Sequence, residues 1–241
     1  MVFAFAAAVA AEVGPKDRED ILRLAKARGR SAADAEALVE EVDRASARGL
    51  PQPPLVNKLK EGLAKGIPPA RVQAVLRDLA GRLDRARELL GESRDASGSS
   101  RAIEVLADAL GRGLTAEDVR EIERQLRGGG SRPDTEILAF GAKSWALMRE
   151  AGVDPQDGLS LLVEAVRQGY RAMDLLTLAR ELGRHRAELS RGQMNLEAVR
   201  ESIRRGDPPE RLFPTRDDRE RPDRIPPERP TRVRPERPDT R

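Results

Sequence analysis

One short pattern recurs along this chain and narrows its fold more than any other feature. A small residue is followed four positions later by glycine, and an aliphatic residue falls six positions after that glycine. The copies are Ala45, Gly49 and Leu55; Gly62, Gly66 and Val72; Ala109, Gly113 and Val119; Ala165, Gly169 and Leu175; and Ser202, Gly206 and Leu212. Helices commonly end on a residue in the left-handed conformation, which glycine adopts without steric cost. The residues after each glycine suit the start of a new helix. Thr115 can cap, with Glu117 and Asp118 placed against the positive end of the dipole. Pro68 and Pro69, and Pro208 and Pro209, fit a first turn, where a missing N–H is no loss. The small residue lets two helices approach at the corner, and the aliphatic one packs back across it. Gly49, Gly66, Gly113, Gly169 and Gly206 are therefore expected to be structural corners.

Composition agrees with helix. Charged residues make up 35% of the 241 and aromatics 2%, there is no cysteine, and no run alternates β-formers with polar residues. The expectation is an all-α, multi-helix array of short helical hairpins joined by glycine corners, either an imperfect superhelix or a compact bundle. Irregular spacing of the glycines argues against a solenoid of fixed period. The hydrophobic periodicity predicts about eight to nine helices. Among the segments it marks are 15–28, 31–48, 55–65 after a stiff Pro51–Pro54 corner, a long helix over 68–90, one helix over 171–189, and a last one over 195–205 ending at Gly206. In the long helix Val72, Val75, Leu76, Leu79 and Leu83 fall at helical spacing. Phe140 and Trp145 share one helix and read as core anchors.

The domain reading is an apolar leader at 1–14, a helical lobe at 15–90, a flexible linker at 91–100, a second lobe at 101–206 and a tail at 207–241. Gly128 to Ser131 reads as a further flexible break. The tail holds nine prolines, ten arginines and nine acidic residues but only four large apolar side chains, too few to offset the entropy of ordering, so it is expected to be disordered. The leader, MVFAFAAAVAA, carries an Ala8-x-Ala10 pair like that before a signal-peptidase cut, but lacks a basic start. It reads as a truncated signal peptide, with a docked N-terminal helix as the alternative. Export to a bacterial periplasm or beyond is thus the first expectation, the cytoplasm the second. No stretch approaches the about 20 apolar residues that span a bilayer.

Few motifs point to chemistry. The absence of cysteine excludes disulfides, thiol catalysis and cysteine-bound metal. His185, the single histidine, lies between Arg184 and Arg186 and reads as a surface residue; alone it supplies neither a metal site nor a triad. Gly141-Ala-Lys143-Ser144 resembles the end of a phosphate loop but lacks the Gly-Lys pair. Asp217 and Asp218, an acid pair, fall in the tail. No catalytic residue, cofactor or metal is predicted, and the chain reads as a non-enzyme.

Two segments suggest binding. Residues 57–66 carry three of the six lysines, and Lys58, Lys65 and Arg71, with Asn57 as a polar partner, form a possible anion patch; the same string also suits a solvated helix face. It resembles stretches of exported bacterial helical proteins of unassigned function, a likeness that transfers no site. Separately, Ala109-x3-Gly113-Leu114-Thr115-x3-Val119-x2-Ile122 resembles the core spacing of DNA-binding helix-turn-helix proteins, whose second helix enters the major groove. Here that helix leads with Glu117 and Asp118, which phosphate repels. The Gly66 copy, with Arg71, Gln73 and Arg77, is more basic but sparse. The net charge of +3 is likewise thin for a nucleic-acid binder.

The function expected from these features is a non-enzymatic interaction or scaffold protein. It is exported and acts through a helical groove and a charged, Pro-rich tail on a protein or an anionic cell-envelope polymer. The alternative is a cytoplasmic DNA-associated regulator using a helix-turn-helix-like corner.

Overall fold

The computed structural model describes residues 12–91, 100–127 and 133–213. The leader to Ala11, the linker over 92–99, the Gly128–Ser131 break and the tail from 214, with Asp217 and Asp218, lie outside the described residues. Those described contain eleven α-helices, a short 3-10 helix and no strand. The helices are α1 (Pro15–Ala27), α2 (Ala32–Ala47), α3 (Gln52–Ala64), α4 (Pro69–Gly91), α5 (Ser100–Gly111), α6 (Ala116–Leu126), α7 (Thr135–Glu150), α8 (Pro155–Arg167), α9 (Ala172–Arg184), α10 (Arg186–Ser190) and α11 (Leu196–Arg204). The 3-10 helix is Pro209–Arg211.

The corners explain the repeat. Gly49, Gly66, Gly113, Gly169 and Gly206 all have positive φ, from 69° at Gly66 to 93° at Gly113. Each glycine N–H donates three residues back, and the next residue's N–H donates to the carbonyl of the small residue. Ile67 bonds to Gly62 at 3.0 Å, Leu114 to Ala109 at 3.3 Å and Tyr170 to Ala165 at 3.0 Å. This is the double bond of the Schellman helix end, which satisfies carbonyls that would otherwise be orphaned. The small residue is therefore the bonded carbonyl of the last full turn. The aliphatic residue six beyond the glycine is buried in every copy: Leu55, Val72, Val119, Leu175 and Leu212. The same bond pattern recurs at Gly29, between Ala25 and Ala35, and at Gly152. At Gly152 the sizes are exchanged: Met148 precedes the turn and Gly158 follows it, with Met148 Sδ 3.6 Å from where a Gly158 Cβ would stand.

Most consecutive helices pack on each other, and helices also pack on next-but-one neighbours: α1 on α3, α2 on α4, α5 on α7, α6 on α8, α7 on α9. Within α1–α4 and within α5–α9 this is the packing of stacked hairpins, as in helical-repeat proteins but without their constant period. α4 lies against α5, and one buried cluster runs from Val13 to Phe213. α7 is central to the second half, touching α5, α6, α8 and α9. Its Ala139, Gly141, Ala142, Ser144 and Ala146 are buried, and such short side chains let neighbouring backbones close in. Phe140 and Trp145 are buried on the same helix, and the Trp145 indole N–H donates to the Pro155 carbonyl at 2.9 Å.

Four sequence expectations differ from the structure. Pro53 and Pro54 are not a corner but the first turn of α3, whose N–H groups have no intrahelical acceptor in any case, so proline costs nothing there. The predicted helix over 171–189 breaks at His185, which ends α9 and precedes α10. The described residues hold eleven α-helices rather than eight or nine, the break accounting for one of the difference. The tail is ordered for its first seven residues: Leu212 and Phe213 are buried, and the Phe213 ring stacks on His185 with centroids 5.4 Å apart. His185 is accordingly not a simple surface residue; its Nδ1 also lies 3.2 Å from Glu188.

A cation-rimmed groove at the α3–α4 corner

The end of α3, the Gly66 turn and the start of α4 enclose an open groove of about 210 Å³. Its floor is Gly62, Ile67, Val72 and Val75, and its rim is Lys58, Glu61, Lys65 and Arg71. Three residues of the predicted anion patch, Lys58, Lys65 and Arg71, thus share one site. Asn57 is exposed and does not line it.

Each rim residue has a local reason for its position. Lys58, Glu61 and Lys65 sit at i, i+3 and i+7, one stripe of α3. Lys58 and Lys65 both donate to Glu61, at 2.7 and 2.5 Å. Hydrogen bonds from the two ammonium groups, reinforced by their charge, bring the Glu61 carboxyl down to about 2, so it is ionised at any ordinary pH. Lys65 caps the negative end of α3, where a cation is favoured. Arg71 stands in the first turn of α4, at the positive end of that dipole, and this turn carries no acidic residue. Among the described residues no carboxylate pairs with Arg71. The rim therefore sets three cations against one carboxylate, beside an uncompensated helix start.

The floor departs from the sequence reading. Helical periodicity puts Val75 on the buried stripe of the long helix, yet it is 40% exposed, one of two large hydrophobic residues so open among those described. It lines the groove with Lys58 and Glu61 of α3 but is not covered by them. The floor and Glu61 were not legible as a site. The one available signal was the pairing of Glu61 with both lysines at helical spacing.

A second cleft, of about 500 Å³, lies between α2 and α4. Arg44, Arg48 and Arg77 rim it over Ala45, Ala80 and Gly81, and all three are ion-paired, whereas the α3–α4 groove has Arg71 without a carboxylate partner among the described residues. Glu41 accepts from Arg44 and Arg77, both at 3.0 Å, and from Gln73 at 3.3 Å, while Arg48 pairs with Asp84 at 2.8 Å. Gln73 and Arg77 of the helix-turn-helix reading are therefore turned toward α2. On α6, Asp118 closes a capping box with Thr115, and Glu123 is buried and paired with Arg127 at 2.8 Å. The phosphate-loop resemblance also fails on geometry: Ser144 is fully buried inside α7, and Lys143 pairs with Asp108 at 3.1 Å. No group of three or more His, Asp or Glu suited to a metal ion occurs among the described residues, and none of their helices is long and apolar enough to cross a membrane.

No known family model, curated protein or solved structure matches this chain. A functional reading rests on the chemistry of its own surface.

Proposed function

We propose that the chain is a non-enzymatic, exported scaffold that binds an anionic partner, a protein or a cell-envelope polymer, through the α3–α4 groove. The charged Pro-rich segment beyond residue 213 adds weaker, multivalent contacts. The observation that carries the reading is the rim of that groove: Lys58, Lys65 and Arg71 against Glu61 alone, with Arg71 unpaired among the described residues. Export rests on the leader, and mapping the mature N-terminus of fractionated cells tests it.

Binding is tested with poly-glutamate as probe, by titration at rising salt. Wild type is expected to bind at low ionic strength and to lose affinity as salt screens the rim. Arg71→Glu is expected to weaken binding, and Glu61→Gln, which removes the single rim carboxylate, to strengthen it. The same affinity in all three proteins would refute the site. Duplex DNA bound more tightly than poly-glutamate would favour the nucleic-acid alternative.

A further inference from the structure

The α3–α4 groove is too small for a cofactor-sized molecule. Its volume of about 210 Å³ falls below the roughly 300–1,000 Å³ of small-ligand sites. Its lining also divides cleanly, with four residues without polar side-chain atoms as floor and four charged ones as rim. A purely electrostatic site has no use for an apolar floor. An acidic polysaccharide or poly-glutamate would satisfy the rim and leave Ile67 and Val75 wet. An acyl chain would fill the floor but needs a longer slot than two turns of helix provide. One side chain the size of leucine or phenylalanine fits the floor, and carboxylates beside it in its own chain would reach the rim.

We infer that the groove is an anchor pocket for a single large apolar side chain of a partner protein, presented in a segment with Asp or Glu on either side of it. The inference rests on the anionic-partner reading and narrows it. Interfaces commonly concentrate their energy in one such buried anchor ringed by polar contacts. Here the anchor meets Ile67, Val72 and Val75, and its flanking carboxylates meet Lys65 and Arg71, which project from opposite sides of the Gly66 turn. Glu61 holds Lys58 and Lys65 in place and repels any segment in which both flanks are acidic but the acids lie too close to its own position. It thus contributes selectivity in addition to charge. Gly62 lets α3 lie close against α4 beneath the floor, because a Cβ there would stand 2.8 Å from Val72 Cγ2.

The test is a methyl NMR titration of the full chain with capped peptides. One has leucine between two pairs of glutamates, the second replaces leucine by alanine, and the third replaces the glutamates by lysines. The leucine peptide is expected to move the methyl resonances of Ile67, Val72 and Val75. The alanine peptide should bind roughly tenfold to a hundredfold more weakly, as expected for a lost apolar side chain in a fitted pocket. The lysine peptide should not bind. Val75→Asn, a neutral change at an exposed site where folding is not at stake, should erase the preference for leucine while leaving the weak binding of the alanine peptide. Equal affinity of the leucine and alanine peptides overturns the anchor and leaves the anionic reading standing. Failure of both acidic peptides at low salt overturns both. Resonances of Val72 and Val75 that shift on deletion of residues 214–241, with no peptide added, would place the chain's own tail in the groove and overturn a partner-protein anchor.

Discussion

Replacing Gly62 by alanine tests the packing logic of the whole repeat at its tightest point. A Cβ on Gly62 would lie 2.8 Å from Val72 Cγ2 and 3.2 Å from Cγ1, well inside the about 3.5–4.0 Å of an ordinary carbon contact. Val72 cannot swing aside: it is buried in a helix, where a β-branched side chain has one strongly preferred rotamer. The corner must open instead, and overpacking of this kind costs about 1–3 kcal/mol. Against it stands the helical preference of alanine over glycine, about 1 kcal/mol at most and less near a helix end. The expected net loss is about 1 kcal/mol, read from urea unfolding by circular dichroism at unchanged slope. Gly81→Ala is the control. It lies exposed inside α4 with nothing within 4 Å of a Cβ, and it should gain about 0.5–1 kcal/mol. Val72→Ala vacates the space that Gly62→Ala fills, so the double variant should be more stable than the sum of the single ones by about 1 kcal/mol. If Gly62→Ala stabilises as much as Gly81→Ala, the small residue is not there for close approach and the argument fails.

Other contacts set two further outcomes. The ammonium of Lys60 on α3 bridges Asp17 at 2.8 Å and Asp20 at 2.9 Å on α1. Hydrogen bonding to these carboxylates raises Lys60 above its usual 10.5 and, through Lys60, lowers Asp20 below its usual 3.8. Asp20 therefore stabilises the α1–α3 contact above its unfolded value, and that contribution is lost as pH falls through the lowered one. The Lys60 contribution is present below 10.5 and lost as pH rises through the raised value. Amide protection in α1, relative to the intrinsic exchange rate at each pH, should fall at both extremes, and Lys60→Met should flatten the dependence; an unchanged pH profile in that variant would refute the clasp. At the other end, Phe213→Ala should destabilise by about 3 kcal/mol and move the His185 ring resonances, since the stacked ring is lost. Unaltered His185 signals would mean that Phe213 does not seat there.

The sequence made the helical hairpins and their corners legible because each rests on local chemistry: a glycine that takes positive φ, a small residue whose carbonyl accepts the returning N–H, and a cap or proline that starts the next helix. What it hid depends on contacts remote in the chain. The break at His185 has no proline and no positive-φ glycine to announce it, Gly183 staying within α9; Phe213, twenty-eight residues on, stacks against the ring at that point. Leu212 was in plain view as the sixth residue after Gly206, and its burial obeys the same pattern that buries Leu55 and Val119, yet the composition of the segment behind it argued for disorder. Local pattern outweighed regional composition there.

The candidate site divides along the same line. Lys58, Lys65 and Arg71 were legible as a group because lysine is scarce here and helical spacing brings two of them onto one stripe. The floor was not, since Val75 fits the periodicity of α4 as well as Val72 does. Which of the two is covered is settled by tertiary contact: Gly62 of α3 stands against Val72, while Val75 stays 40% exposed. Cations at the end of one helix and the start of the next rim the apolar strip that is left. Every corner of the repeat has the same geometry. The first turn beyond Gly66, like those of α3 and α5, carries no carboxylate, and here both flanks of the corner are basic. Basic flanks beside an exposed apolar strip single out the Gly66 corner as the place where a structural device can serve binding.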